Sequence, residues 1–462
     1  MRVLFTPYPS LAHLWPIAPL AWALQNAGHE VRVASQARFA DAIVKTGLTP
    51  VRLGDPDANE PRMRDDARQP ASPEEVLRYA DALGLTAAER ELWIIFFQYL
   101  LNPTSDYLRT DLPEAGDLVA FAEAWRPDLV VWDATFASGA VAAKVCGAAH
   151  VRLLLGPDIF GFSVDKLAER AAELRAAGLS ENPLADVLRP LAERHGVEID
   201  NELLVGQWSV DQMPTGLNPP LAAKTIPMRF MPFTGAAAVP EWLYENPERP
   251  RIALTLGEST RRFVPGDARL PKILEALSTL DVEVVATLNE LQLQGIEEIP
   301  ANVRVLDWVN LTQLLPTCAA IIHHGGMGTT AAAIAFRVPQ LILDTEESVL
   351  MRQVRDTTPA AGSFQVGKEF GVREETETET TQWVLPEKKV EATRNANYLI
   401  ARGAGARLDH QTQTADEIAK VILQVVTDPA YREGVDKVHA IWDAMPNPSE
   451  VVPALERIAA RR

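Results

Sequence analysis

Residues 321–330 read Ile-Ile-His-His-Gly-Gly-Met-Gly-Thr-Thr, and the helix-forming run Ala331-Ala-Ala-Ile-Ala335 follows. A buried strand that passes through a glycine-rich turn into a helix N-terminus presents backbone N–H groups beside the positive end of the helix dipole. That suits a pyrophosphate. Gly325, Gly326 and Gly328 let backbone approach a ligand, Thr329 can cap the helix and offer a hydroxyl, and His324 can donate to a phosphate oxygen. Strand–helix glycine turns are often only tight turns, but His-Gly-Gly-x-Gly-Thr behind a strand is far more specific than a lone glycine pattern. It is neither the dinucleotide-binding fingerprint nor a Walker loop, because the spacing differs and the Walker lysine is missing.

Two further stretches fit around that turn. Val303-Arg-Val-Leu-Asp-Trp-Val309 puts Trp308 at the end of a strand, where its indole can stack on a nucleobase while the Val309 backbone reads the base edge. Without the turn, Trp308 reads equally well as core. Gly257-Glu-Ser-Thr260 offers backbone and hydroxyl donors at the mouth of another strand, and alone it reads as an ordinary strand-end turn. In the first part of the chain, His13 lies in the loop after strand one and Asp133 ends another strand, in Val130-Val-Trp-Asp133. Parallel sheets bind ligands at the carboxyl ends of their strands. A carboxylate on one imidazole nitrogen fixes the tautomer and makes the other nitrogen a general base near neutral pH. Alone, His13 reads as structural; with Asp133 at a matching strand end, the dyad is the better reading. His29, His150, His195, His323, His410 and His439 show no such partner and read as structural.

These residues need a scaffold of strands. Residues 2–6 form a buried run, Pro7, Pro9 and Ser10 follow as turn residues, a helix spans 16–27 and closes at Gly28, and 30–34 is a second strand. Strand, helix and strand in so short a span make a βαβ unit and a parallel sheet. Strands at 128–132 and 150–155 flank a small-residue helix at 138–146, and 74–111 reads as a helical insertion. The pattern restarts after a proline- and glycine-rich linker near residue 240, with strands at 251–256, 283–287, 303–306, 319–323 and 340–343. Between 343 and 394 the rhythm fails. The run Arg373-Glu-Glu-Thr-Glu-Thr-Glu-Thr-Thr-Gln382 has too few apolar residues to fold alone and reads as a solvated loop.

The whole-chain numbers bound these readings. At 462 residues and 47% hydrophobic, the chain has the length of two large or three ordinary domains and can fill their cores, which excludes wholesale disorder. Its net charge of −18 argues against nucleic acid and anionic lipid as default partners, yet a small phosphorylated ligand held by helix ends needs no net positive charge. Cys146 and Cys318 lie in apolar stretches outside any zinc spacing, and read as buried small hydrophobes of a cytoplasmic protein. No apolar run reaches the length of a membrane span, and residues 1–5 lack a signal-peptide pattern.

Two strand–helix domains, a histidine in the first strand–helix loop and His324-Gly-Gly-Met-Gly-Thr329 in the second domain resemble the GT-B nucleotide-sugar glycosyltransferases. More narrowly, the chain is similar to actinobacterial macrolide aminosugar transferases of the desosaminyl and mycaminosyl type. The shared stretches include Ala27-Gly-His-Glu-Val-Arg-Val33, Trp125-Arg-Pro-Asp-Leu-Val130, Val239-Pro-Glu-Trp-Leu243, Leu254-Thr-Leu-Gly257 and Leu314-Leu-Pro-Thr-Cys-Ala319. The resemblance implies an α/β, GT-B fold: two Rossmann-like domains with parallel sheets facing across a cleft. Residues 1–238 would bind acceptor and carry the helical insertion at about 60–112; 239–427 would bind the TDP-sugar and carry a loop insertion at about 346–389; 428–462 would be helical and pack toward the first domain.

It further implies inverting, metal-independent transfer of an aminodeoxysugar from TDP to a macrolide or polyketide hydroxyl, with no cofactor. Thymine would sit near Trp308 and Val309, and the diphosphate on Ser259, His324, Gly325, Gly326, Gly328 and Thr329. His13, oriented by Asp133, would be the base. Relatives often use a P450-like auxiliary protein on the N-terminal domain, and a homodimer is compatible with the family. The family's sugar-contacting carboxylate maps to Glu391, with Glu346 and Glu347 as alternatives, because the Thr/Glu-rich segment intervenes there. Three other readings compete: a GT-B sugar-nucleotide epimerase, a catalytically silent GT-B-like partner protein, and a dinucleotide-dependent oxidoreductase. Trp93, Phe96 and Phe97 favour an apolar acceptor pocket over the epimerase, the His13 and Asp133 pair opposes silence, and the missing glycine fingerprint disfavours the oxidoreductase.

Overall fold

A computed structural model of the chain describes residues 1–55, 73–86, 113–218, 221–257, 267–344, 352–356, 371–375, 380–384 and 390–461; for 73–76, 352–356, 371–375, 380–384 and 390 it describes backbone only. The chain folds as two compact units, one of Met1–Ala236 with Asp443–Arg462 and one of Ala237–Trp442. Both are Rossmann-like parallel sheets.

In the first unit the strands are β1 (Arg2–Thr6), β2 (Glu30–Gln36), β3 (Thr49–Leu53), β4 (Leu129–Asp133), β5 (Ala149–Leu154), β6 (Trp208–Asp211) and β7 (Thr225–Pro227). They run in the order β3-β2-β1-β4-β5-β6-β7, every neighbouring pair parallel. Every residue of β4 and β5 is buried, as a sheet covered on both faces requires. The order reverses between β1 and β4, so the chain leaves those two strands in opposite directions and opens a crevice at their carboxyl ends. Phe136, a turn after β4, donates its N–H back to Asp133 before α2 (Ser138–Cys146) begins.

Helix α1 (Leu11–Asn26) starts five residues earlier than its prolines suggest. Pro16 and Pro19 lie inside it, where each removes one N–H bond to the carbonyl four residues back. Burial of Leu14, Ile17, Leu20 and Leu24 in the core offsets that loss. His13 is therefore a first-turn helix residue and not a loop residue. The same core takes Val451, Val452 and Leu455 from α6 (Pro448–Ala459), whose N-terminus is closed by an Asn447–Glu450 capping box. The helix before it, α5 (Pro429–Asp443), lies in the second unit up to Trp442.

In the second unit β8 (Arg251–Thr255), β9 (Glu283–Thr287), β10 (Val303–Leu306), β11 (Ala320–His323), β12 (Gln340–Leu343) and β16 (Gly405–Leu408) form a parallel sheet in the order β10-β9-β8-β11-β12-β16. Its order reverses between β8 and β11. Helix α3 (Met327–Ala335) follows β11, and α4 (Val390–Ile400) precedes β16.

The segment read as a solvated loop contains a small sheet. Strands β13 (Arg352–Asp356), β14 (Gly371–Glu375) and β15 (Thr380–Val384) pair antiparallel in the order β13-β15-β14. Alternating Thr and Glu lacks an apolar face, but β-branched Thr is strand-competent and cross-strand pairing does not need a hydrophobic run. In the 74–111 insertion, Pro73–Ala82 is helical, and Trp93, Phe96 and Phe97 lie outside the described residues. Among the described residues no helix is long and apolar enough to cross a membrane.

Candidate active site

The first unit brings His13 and Asp133 together at its switch point. His13 is the third residue of α1 and its backbone N–H donates to Ser10. Its Nδ1 lies 2.6 Å from Oδ2 of Asp133, so the imidazole is anchored through Nδ1 and its other nitrogen is Nε2. The Tyr8 backbone N–H also donates to Oδ2, at 3.2 Å. Oδ1 accepts from the Thr135 backbone N–H at 2.9 Å and from its hydroxyl at 2.7 Å. The Tyr8 ring meets the His13 ring edge-on, with centroids 5.3 Å apart. Burial by itself would push the Asp133 carboxyl up; the charge of His13, the His13 hydrogen bond and the two Thr135 bonds outweigh it and hold the group below the usual carboxylate range. Asp133 is buried, whereas the His13 side chain keeps 19% of its surface exposed, so the ring can meet a substrate and its anchor cannot.

In the second unit, Gly257 after β8 and the turn after β11 share the corresponding switch point. Gly325 adopts φ +81°, and a Cβ there would lie 2.5 Å from the Cβ of Ala392 in α4. The His324 ring rests against Gly257 and Gly326; a Cβ on either would stand within 2.4 Å of it. Gly326 is the N-cap of α3 in extended conformation. Gly328, in the first turn, is exposed and has open space where a Cβ would be. First-turn N–H groups of a helix have no intrahelical acceptor, so the turn offers donors to an anion.

Thr329 is buried within that first turn and does not cap the helix as its position suggested. The capping carboxylate is Glu391, which accepts from the Met327 N–H across 64 residues of sequence. The structure thus brings Glu391 to the glycine turn, while Glu346, Glu347 and Ser259 lie outside the described residues. Trp308 is 39% exposed two residues beyond β10, and Val309 behind it is buried. Three strand spacings separate β10 from β11, about 14 Å across the sheet. Thr135, the Tyr8 backbone, His323 and Asn395 also shape the two sites. Only the His-His doublet hinted at any of them in the sequence.

Family models for the erythromycin biosynthesis protein CIII-like N-terminal and C-terminal domains match residues 22–257 and residues 271–369 with 376–458. The chain belongs to this family. An aclacinomycin-T 2-deoxy-L-fucose transferase from Streptomyces galilaeus is 36% identical over all of this chain and 96% of its own length. A 10-deoxymethynolide desosaminyltransferase from Streptomyces venezuelae is 34% identical over all of this chain and 98% of its own. The crystal structure of glycosyltransferase VinC in complex with dTDP matches with a TM-score of 0.74 and 32% identity, covering 100% of both chains. The protein is accordingly a glycosyltransferase of GT-B fold. In this glycosyltransferase the matched segments include Asp133 and the whole glycine turn; His13 lies before them, Ser259 between them, and β14 falls in the break after residue 369.

Proposed function

We propose that this glycosyltransferase moves a deoxysugar, specifically an aminodeoxysugar, from TDP to a hydroxyl of a macrolide or related polyketide in antibiotic biosynthesis. Transfer inverts the anomeric centre and uses no metal. The observation that carries the reading is the His13–Asp133 pair at the first unit's switch point. In this scheme the acceptor hydroxyl gives its proton to Nε2 of His13, and Asp133 stabilises the imidazolium that forms. The acceptor oxygen bonds to the anomeric carbon as the bond to the diphosphate breaks, and TDP leaves from the opposite face. Charge gathering on the diphosphate is met by His324 and by the N–H groups of Gly328 and Thr329 at the positive end of α3. Trp308 stacks on thymine beside the Val309 backbone, and Glu391 faces the sugar.

The test is an assay of purified enzyme against a panel of TDP-deoxysugars and macrolide aglycones, with and without a P450-like auxiliary protein. The expected result is a glycosylated product of inverted configuration, together with thermal stabilisation by TDP and none by NAD or UDP. If no pair yields product and TDP leaves the melting temperature unchanged, the reading fails.

A further inference from the structure

The glycine turn is held from behind by three side chains that no ligand can touch. His323, Gln340 and Asn395 are fully buried, and they come from β11, β12 and α4. Nδ1 of His323 accepts the Gly325 N–H at 3.1 Å. That bond puts the ring proton on Nε2, which donates to Oε1 of Gln340 at 3.0 Å. The Gln340 amide in turn donates to the Thr330 carbonyl at 3.3 Å. From the other side, the Asn395 amide donates to the Gly325 carbonyl at 2.7 Å. Thr330 closes the arrangement by donating its hydroxyl to the Gly326 carbonyl at 3.1 Å. Both backbone groups of Gly325, the residue at φ +81°, are thus fixed by side chains, and the peptide cannot rotate without unpairing buried donors and acceptors.

From this geometry we infer that His323, Gln340 and Asn395 are positioning residues for the donor diphosphate: they preset the direction of the Gly325–Gly328 backbone, acting through Gly325 and Thr330. The inference rests on the proposal that this turn binds the TDP moiety. A pre-set turn binds its anion without reorganising, so losing the brace weakens donor binding and leaves the chemistry of His13 untouched.

The experiment measures TDP affinity by calorimetry, and kcat and KM for donor and acceptor, in wild type, Asn395→Ala, His323→Leu and His323→Asn, with circular dichroism confirming the fold of each. An Asn side chain at 323 can place its carbonyl oxygen near the site of Nδ1 and so restores the acceptor for the Gly325 N–H. Asn395→Ala and His323→Leu are expected to raise the TDP Kd and the donor KM about tenfold, with kcat and acceptor KM changed less than about twofold. His323→Asn should recover most of that loss. Folded Asn395→Ala or His323→Asn protein with wild-type and His323→Leu-like affinity, respectively, overturns the brace. Wild-type enzyme that fails to bind TDP overturns the donor reading instead. Should His323→Leu not fold, the Asn395→Ala result still decides.

Discussion

Each oxygen of Asp133 accepts two hydrogen bonds, and that is what aims His13. A carboxylate with its lone pairs so committed cannot turn away from the imidazole, and it stays ionised although buried. Thr135 supplies both bonds to Oδ1, so Thr135→Val keeps the shape and the N–H and removes one donor. Its kcat should fall about fivefold with donor KM unchanged, and Thr135→Ser should restore it, as steady-state kinetics will show. His13 and Asp133 were legible in the sequence because Asp133 ends β4 and His13 closely follows β1, both on the carboxyl side of the sheet where chemistry on parallel sheets sits. Thr135 was not, since its role depends on the rotamer of a residue two positions away. Asn395 was hidden for another reason: it meets Gly325 across 70 positions, a juxtaposition set by the docking of α4 and not by any local pattern.

At the level of elements, nine strands of the two parallel sheets are legible almost to the residue, because strands buried on both faces need unbroken apolar runs, whereas β3, β6, β7 and β16 escape the sequence reading, β3 and β7 being only partly buried edge strands. Pro16 reads as the first residue of a helix, whereas the core holds it inside α1. The Thr/Glu run reads as a solvated loop because it has no hydrophobic period, yet its backbone pairs in β14 and β15. Strand β13 pairs with β15, which lies centrally in that sheet. Excising residues 373–382 takes three of the five residues of β14 and three of the five of β15, and so leaves β13 without its partner. The expected result is loss of the antiparallel component of the circular dichroism spectrum with both parallel sheets intact. Calorimetry should then show the main unfolding transition shifted by less than about 5 °C, and insoluble protein would show that the small sheet supports the second unit.

For the molecule as a whole, two buried histidines set a limit on acid stability. Burial pushes His150 in the first unit down to about 4, with Lys144 adding to it, and it pushes His323 in the second unit down to about 4 as well. In the unfolded chain both would take a proton near 6.5. Between those values the unfolded state binds more protons, so stability is fully present above about pH 6.5 and is lost as pH falls toward 4, by about 3 kcal/mol per histidine. Denaturant titrations at pH 7.5 and 5.0 should already show about 2 kcal/mol of that loss per histidine, and His150→Gln should lessen it. The net charge of −18 fits the same economy of charge: the turn proposed for the anion meets it with backbone and one histidine, so the surface can stay acidic.

His13, anchored by Asp133, is the proposed base, and it lies in a different unit from the glycine turn. Glycosyl transfer by His13→Ala, measured alongside TDP affinity, tests this most directly. Turnover should fall about a thousandfold while the Kd for TDP stays within about twofold of wild type. Turnover equal to wild type in that variant would remove His13 as the base.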